Sequence, residues 1–417
     1  MSKKIFSKEQ HKIDLKQIDK DALYIIEKLR IAGYKSYLVG GSVRDLLLQT
    51  KPKDFDISTS ARPEEIKSLF RNCLLIGRRF RLAHIRFGKK IIEVSTFRSG
   101  ENDSDQLITR DNVWGDEEDD VQRRDFTING LFYDPSEEKI IDYVNGYQDI
   151  KQKILQTIGN PFNRFKQDPV RMIRLIKFQS RFGLSIEEQT LEALIECKEE
   201  IIKSSSTRIL EELLKMLESQ ASHLFFKNMA RYGLLNILLP SLCDLFHNQN
   251  SDYQLLKIID THLIDTKVFH WDRSALASCL VFPVLNKKIE ELKHSQTKPP
   301  HMGDVYKYSH QVINQVFSPF FLIPKKLKVY MLAILTYQYR LTPLEKKKNE
   351  RMRVPQDPLF VLALHFLEIR QYENPELTPT FDKWVAFLEQ KEKAPVMNKK
   401  RKKVIKTKTQ NENDSPP

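Results

Sequence analysis

The chain has 417 residues, of which 41% are apolar and 29% charged, enough for two to four globular domains and unlike a collagen-like or wholly disordered protein. Thirteen glycines are few for a Gly-rich propeller or sandwich, and four widely spaced cysteines (Cys73, Cys197, Cys243, Cys279) with no CxxC pair argue against a disulfide framework or structural zinc site. Lys and Arg outnumber Asp and Glu by 68 to 55, a net +13 that favours a polyanionic partner such as nucleic acid. Of that excess, nine basic and three acidic residues lie between Lys391 and Pro417, a stretch that also fits a solubilising tail. The cysteine usage, the lack of a membrane-length apolar run and the lack of an apolar signal core predict a cytoplasmic protein with no membrane association.

In chain order, Asp14–Ala32 carries helical apolar spacing (Leu15, Ile18, Leu23, Ile26, Leu29) and Gly33 closes it. Short strand-like runs follow at Tyr37–Val39, Phe55–Thr59, Ala83–Phe87, Ile91–Phe97, Ile128–Tyr133 and Ile140–Val144, with helices predicted at Val43–Leu48 and Pro63–Phe70. After Lys151 strand-like alternation nearly vanishes. Helical spacing is carried by Pro169–Phe182, Ile186–Cys197, Ile209–Leu217, Leu224–Leu235, Tyr253–Thr266, Arg273–Leu285, Lys325–Leu341 and Leu359–Glu373, with Thr297–Gly303 as a connector. The expected fold is α+β: a head of mixed sheet and helices over 14–150, a helical neck over 151–220, a helical body over 221–390, and a basic tail over 391–417 too polar to bury a core.

The chemistry-bearing residues cluster early. Leu38-Val39-Gly40-Gly41-Ser42-Val43-Arg44-Asp45 reads as strand, Gly-Gly turn and helix, with Ser42 a plausible N-cap. Such a turn lets the backbone approach a phosphate, with the N–H groups of the helix start pointing outward, although the same residues fit a plain tight turn. Lys53-Asp54-Phe55-Asp56-Ile57 places two carboxylates two apart, on one face of a strand and about 7 Å apart at Cα. Phe55 and Ile57 would then point to the core. Paired carboxylates repel unless a cation bridges them; two Mg²⁺ ions do so in phosphoryl transfer, and a solvated strand edge is the alternative. Asp168 and Arg171, three apart in a predicted helix, set an acceptor beside a donor. That order suits the pairing edges of adenine and cytosine and mismatches uracil and guanine, but a plain surface salt bridge has the same spacing. No GxSxG, P-loop, HExxH or HD pattern is present, and His262, His270 and His310 read as surface or packing residues.

The run LVGGSVRDLLLQ…KPKDFDIST resembles the signature of the nucleotidyltransferase branch that holds bacterial poly(A) polymerases and CCA-adding tRNA nucleotidyltransferases. Three further motifs resemble the family in order: Arg123-Arg124-Asp125-Phe126-Thr127-Ile128-Asn129-Gly130, joining head to neck; Asp168-Pro169-Val170-Arg171-Met172-Ile173-Arg174, the nucleotide-selecting helix; and Arg208-Ile209-Leu210-Glu211-Glu212-Leu213-Leu214, which braces it. The resemblance implies that Gly40, Gly41, Ser42, Arg44 and Arg124 contact the triphosphate of ATP and that Asp54 and Asp56 hold two Mg²⁺ ions. It also implies that Asp125 works in the active site and that Asp168, Arg171 and Arg174 select the base. Glu93 stands where a third metal carboxylate often sits in the superfamily. One departure is Gln167, where the family usually has Glu.

Finer similarity favours poly(A) addition. The runs Gly77-Arg78-Arg79-Phe80-Arg81-Leu82-Ala83-His84, Ile91-Ile92-Glu93-Val94-Ser95-Thr96-Phe97-Arg98 and Arg110-Asp111-Asn112-Val113-Trp114-Gly115 are similar to bacterial poly(A) polymerases, as is the basic C-terminus. The resemblance therefore implies an enzyme adding AMP from ATP to RNA 3′ ends. CCA addition to tRNA is the runner-up, and a non-catalytic RNA-binding protein the alternative of another class.

Overall fold

A computed structural model describes residues 3–77, 81–99, 113–243, 245, 253–266, 271–295, 299–345 and 357–393. Parts of two poly(A)-polymerase-like runs (78–80 and 110–112) and the basic tail beyond 393 lie outside the described residues. The chain divides into two units, Met1–Met216 with Leu224–Leu238, and Leu217–His223 with Leu239–Pro417.

The first unit is built on an eight-stranded sheet. Its strands are β1 (Lys4–Phe6), β2 (Ser36–Val39), β3 (Asp56–Thr59), β4 (Cys73–Ile76), β5 (Leu82–Phe87), β6 (Lys90–Thr96), β7 (Leu131–Asp134) and β8 (Lys139–Asp142), in the spatial order β1-β8-β7-β2-β3-β6-β5-β4. A two-stranded parallel pair, β9 (Ile154–Leu155) and β10 (Ser185–Ile186), lies apart. Within the large sheet β3 and β6 run parallel, and the other named pairs are antiparallel. The helices of the head are α1 (Lys8–His11), α2 (Lys20–Ile31), α3 (Gly41–Leu47), α4 (Pro63–Leu69), α5 (Glu117–Gln122) and α6 (Gly146–Gln152). Tyr37, Val39, Phe97, Val121, Phe132, Ile141, Tyr143, Val144 and Ile158 form one buried cluster on this sheet. Burial of a ring such as Phe97 or Phe132 contributes on the order of 2–3 kcal/mol. Val39, last residue of β2, joins that core directly to the Gly-Gly turn.

Helices α7 (Pro161–Gln167), α8 (Val170–Phe182), α9 (Glu188–Cys197), α10 (Ser206–Leu217), α11 (Ser222–Arg231) and α12 (Leu234–Leu238) follow. The second unit is helical among its described residues: α13 (Gln254–Thr266), α14 (Arg273–Ser295), α15 (Met302–Phe317), α16 (Lys325–Leu341), α17 (Phe360–Glu373) and α18 (Thr378–Lys393). The α+β architecture followed by helices is thus the one expected.

Several boundaries differ from the sequence expectation. The helix predicted over Asp14–Ala32 starts at Lys20, because Asp19 takes an extended conformation and accepts from Asp21 N; a single 3₁₀ turn, Leu15–Gln17, precedes it. The strand predicted over Ile128–Tyr133 is a 3₁₀ turn, Thr127–Asn129, and then β7. Leu224–Leu235 is two helices, broken where Gly233 adopts φ +82°. The helix predicted to stop at Leu285 continues through Pro283 to Ser295. Pro283 has no N–H for the carbonyl of Cys279, four residues back. Tyr253 Oη supplies the missing donor, bonding Cys279 O at 3.0 Å and Leu280 O at 2.7 Å.

Candidate active site

The site begins where β2 meets β3, with Val39 paired opposite Asp56. The chain then turns at Gly40 (φ 63°, ψ −127°), a conformation that glycine alone adopts without strain. A Cβ there would also stand 3.2 Å from Arg124 Nη1. Gly40 therefore caps α3, and Ser42 does not, contrary to expectation. Ser42 is already inside the first turn and buried, and its hydroxyl donates back to Val39 O at 3.0 Å. Gly41 opens the helix as its first residue.

Arg44 is buried and held by its neighbours. It donates twice to Asp45 Oδ1 (2.9 and 2.6 Å) and once to Asn129 Oδ1 (2.7 Å). Its guanidinium lies 4.8 and 4.7 Å from the ring centroids of Phe178 and Phe182, one turn apart on α8. This places Arg44 as a brace between the glycine turn and α8, a position the sequence motif did not disclose.

The two strand acids are placed unequally. Asp56 is the first residue of β3, whereas Asp54 lies in the segment just before it, and both are exposed. Ile57 is fully buried, but so are Ser58 and Thr59, and Phe55 is only half-buried, so the expected in–out alternation is not kept along β3. Asp56 opens into a cavity of about 280 Å³ that is also lined by Glu93, Ser95, Arg98, Asp120, Arg123 and Arg124. Desolvation in this cleft, with the like charges of Glu93 and Asp54, pushes the Asp56 carboxyl up to about 6, against the opposing pull of Arg124. Glu93 stands on β6 opposite His84 of β5, with His84 Nε2 3.4 Å from its carboxylate. Among the described residues no three His, Cys, Asp or Glu side chains already converge on one metal position. The donor set is nevertheless of hard carboxylate oxygens that raise one another's charge cost, which suits a hard divalent cation.

Across the cavity, Arg124 Nη2 donates to Asp120 Oδ2 (2.8 Å) and Ser58 Oγ (3.2 Å), while its Nε is buried without a hydrogen-bond partner. Neighbouring Asp125 is turned the other way. Its Oδ1 accepts from Phe126 N and Asn129 Nδ2, both 2.9 Å, and its Oδ2 accepts from Arg174 Nε at 2.7 Å. Burial alone would raise this carboxyl, but Arg174, the Asn129 amide and Arg171 outweigh it and hold it below its ordinary value. Asp125 thus ties the head to α8. Asn129, which the sequence reading did not single out, joins Arg44 to Asp125; its place inside the RRDFTING run was the available signal.

Asp168 and Arg171 were expected side by side on one helix. Instead Asp168 caps the end of α7 with φ −145°, outside α8, although its carbonyl accepts from Arg171 N at 3.0 Å and its charge still acts on the Arg171 guanidinium. It is gripped in bidentate fashion by Arg208 of α10, at 3.0 and 2.9 Å. Arg171 donates to the carbonyls of Arg164 and Arg123, both 3.2 Å. Farther along, Lys177 pairs with Glu212 at 2.7 Å. The Arg208–Leu214 segment therefore braces α7 and α8 at two points. Gln167, in place of the family's Glu, is buried and accepts from Arg164 Nη1 at 3.1 Å.

A glycine turn set against an acid-bearing strand, with arginines behind it and a braced helix beyond, defines the class: this is a nucleotidyltransferase. Residues 36–156 match the family model described as the poly A polymerase head domain, and residues 183–246 that of the probable RNA and SrmB-binding site of polymerase A. Poly(A) polymerase I of Salmonella typhimurium is 35% identical over 402 residues, covering 92% of this chain and 85% of that protein. Poly(A) polymerase I of Escherichia coli O6:H1 is 42% identical over 273 residues, 63% of this chain and 58% of its own length. The solved Thermotoga maritima CCA-adding enzyme complexed with tRNA shares the fold, with TM-score 0.52, 19% identity, and 92% of this chain and 99% of that chain covered. The chain belongs to the poly(A) polymerase family. No helix among its described residues is long and apolar enough to cross a membrane.

Proposed function

We propose that the chain adds AMP from ATP to RNA 3′ ends without a template. The observation that carries this reading is the pairing of Val39 with Asp56, which sets the glycine turn at Gly40 beside an acid in the cavity that also holds Arg124. Asp54 and Asp56 would hold two Mg²⁺ ions, with Glu93 close enough to raise the charge density they neutralise. When bound, the ions lower the pKa of the attacking hydroxyl and screen the leaving pyrophosphate. The backbone at Gly40 and Gly41 admits the triphosphate at close range. Arg124, which lines the cavity beside Asp56, would meet its phosphates. Asp168 and Arg171 read the base edge. Arg44, Asp125 and Arg174 hold the reading helix against the head. The RNA 3′ oxygen forms its bond to the α-phosphorus as the bond to the β-phosphate oxygen breaks, and the hydroxyl proton leaves to solvent.

The same reading assigns 14–150 to the catalytic head, 151–220 and 221–390 to RNA-holding neck and body, and 391–417 to a basic tail, all in a cytoplasmic setting where ATP and transcripts meet. The runner-up is CCA addition, favoured by the shared fold of the CCA-adding enzymes. The test supplies ATP or CTP separately to the purified chain with an unstructured RNA and with a tRNA lacking its 3′ end. Long A tracts on unrelated RNA support the proposal; ordered C, C, A on the tRNA alone overturns it.

A further inference from the structure

In-line attack sets a further demand on the head. The RNA 3′ oxygen must come to Asp56, so the nucleotides behind it must rest on a surface continuous with that acid. Strands β4, β5 and β6 have two unlike faces. On one, Ala83, Ile85, Ile92 and Val94 are buried, and α4 packs against β4 and β5. On the other, Leu74, Ile76 and Ile91 are 45, 40 and 45% exposed, large apolar side chains open to solvent.

The register joins them into one surface. Leu74 pairs with His84 and His84 with Glu93; Ile76 pairs with Leu82, and Arg86 with Ile91. Cross-strand partners project to the same side, as do residues two apart along a strand. The Leu74–His84–Glu93 row therefore runs from the sheet edge to the acid beside Asp56, because Ile57 and Val94, which follow Asp56 and Glu93, are partners in their turn. Three steps between strands span about 14 Å, the length of a few nucleotides. Leu82 and Glu93 also line the catalytic cavity, so surface and cleft are continuous. The far end is basic: Arg86 and Lys89 are exposed, and no carboxylate among the described residues pairs with Arg86. Aliphatic side chains beside a guanidinium accept the flat face of any base, and the cations accept the phosphates that follow.

We infer that the open face of β4, β5 and β6, carrying Leu74, Ile76, Leu82, His84, Arg86 and Ile91, is the platform on which the 3′-terminal nucleotides of the RNA lie. The inference rests on the functional reading above and adds to it where the growing end is held. A platform of this kind takes any terminal base, as template-free addition to unrelated ends requires.

The test measures KM for an unstructured RNA and KM for ATP with the full chain, wild type against Leu74→Asp, Ile91→Asp and Ile91→Val, with melting temperatures and sedimentation recorded. An exposed carboxylate repels phosphate and packs poorly under a base. Each Asp variant is therefore expected to raise KM for RNA about tenfold and to leave KM for ATP unchanged, while Ile91→Val stays near wild type. If an Asp variant proves unstable, Leu74→Ser and Ile91→Ser carry the same expectation with a smaller rise. A photoreactive thiouridine at the RNA 3′ end should cross-link to β4, β5 or β6. An unchanged KM for RNA in folded Asp variants overturns the inference and leaves the functional reading standing. So does a wild-type dimer that the Asp variants dissociate, since a second copy then covers the face. Cross-links confined to other elements overturn it as well. A wild type that adds no A to RNA overturns both.

Discussion

Asp56, although exposed to solvent, carries a carboxyl that its surroundings in the cleft disfavour as an anion. Its carboxyl, pushed up to about 6, is neutral-favoring in the folded state, because desolvation and the neighbours Glu93 and Asp54 oppose its charge. The sign follows from linkage: a folded-state value above the unfolded one supports the fold fully below about pH 4, and that support is lost as pH rises through about 6. Without divalent cations, Asp56→Asn is therefore expected to melt higher than wild type at pH 8, and the gap should shrink toward pH 5. Thermal melts in a chelating buffer check this, and a gap that widens toward pH 5 contradicts it. The glycine turn and the place of Asp56 at the head of a strand were legible in the sequence because they are local, whereas Asp54, expected on the same strand, lies just before it. Ser42, Arg44 and Asp168 were not legible. Their partners (Val39 O, the Phe178 and Phe182 rings, Arg208) are set by tertiary contact or by the exact start of a helix, which spacing does not encode.

At the scale of elements, α8 is the member most exposed to failure, since the glycine turn, the RRDF run and α10 all bear on it. Phe178 is the hub: buried, under Arg44, near Arg174, and edge-on to Phe126 with centroids 5.6 Å apart. Phe178→Ala should cost about 3 kcal/mol of stability, the usual penalty for emptying an aromatic site in a core, and should disturb nucleotide addition even where the chain stays folded. Denaturant melts read the first effect; a loss under about 1 kcal/mol would show that α8 is not braced this way. Element type was readable for α8, α16 and α17 because apolar residues recur at helical spacing over three turns or more. The edge strands β1 and β4 were missed. Each is three or four residues long, and much of each is exposed, so neither leaves a burial pattern in its sequence.

For the whole molecule, charge is the property that reaches farthest. A net +13 predicts RNA binding that weakens steeply with salt as counterions are released. The stretch after Lys391 carries much of that excess, so its removal should raise KM for RNA, lessen the salt dependence and leave kcat nearly unchanged. Primer extension at several salt concentrations measures all three, and an unchanged KM with an unchanged salt slope would show the tail to be inert in binding. The order of head before helices was legible because composition changes near Lys151, where strand-like alternation gives way to helical spacing.

The central claim is that Asp54 and Asp56, beside the turn at Gly40, hold the divalent cations for nucleotidyl transfer. Its most direct test is the rate of AMP incorporation into an unstructured RNA as a function of Mg²⁺ for wild type, Asp54→Ala and Asp56→Ala, with folding verified by melting temperature. The account predicts Mg²⁺-dependent addition of A by wild type and a loss of at least about a thousandfold in either folded variant, the scale expected when metal charge stabilisation is removed. A folded Asp56→Ala chain that extends RNA at near-normal rate would contradict it.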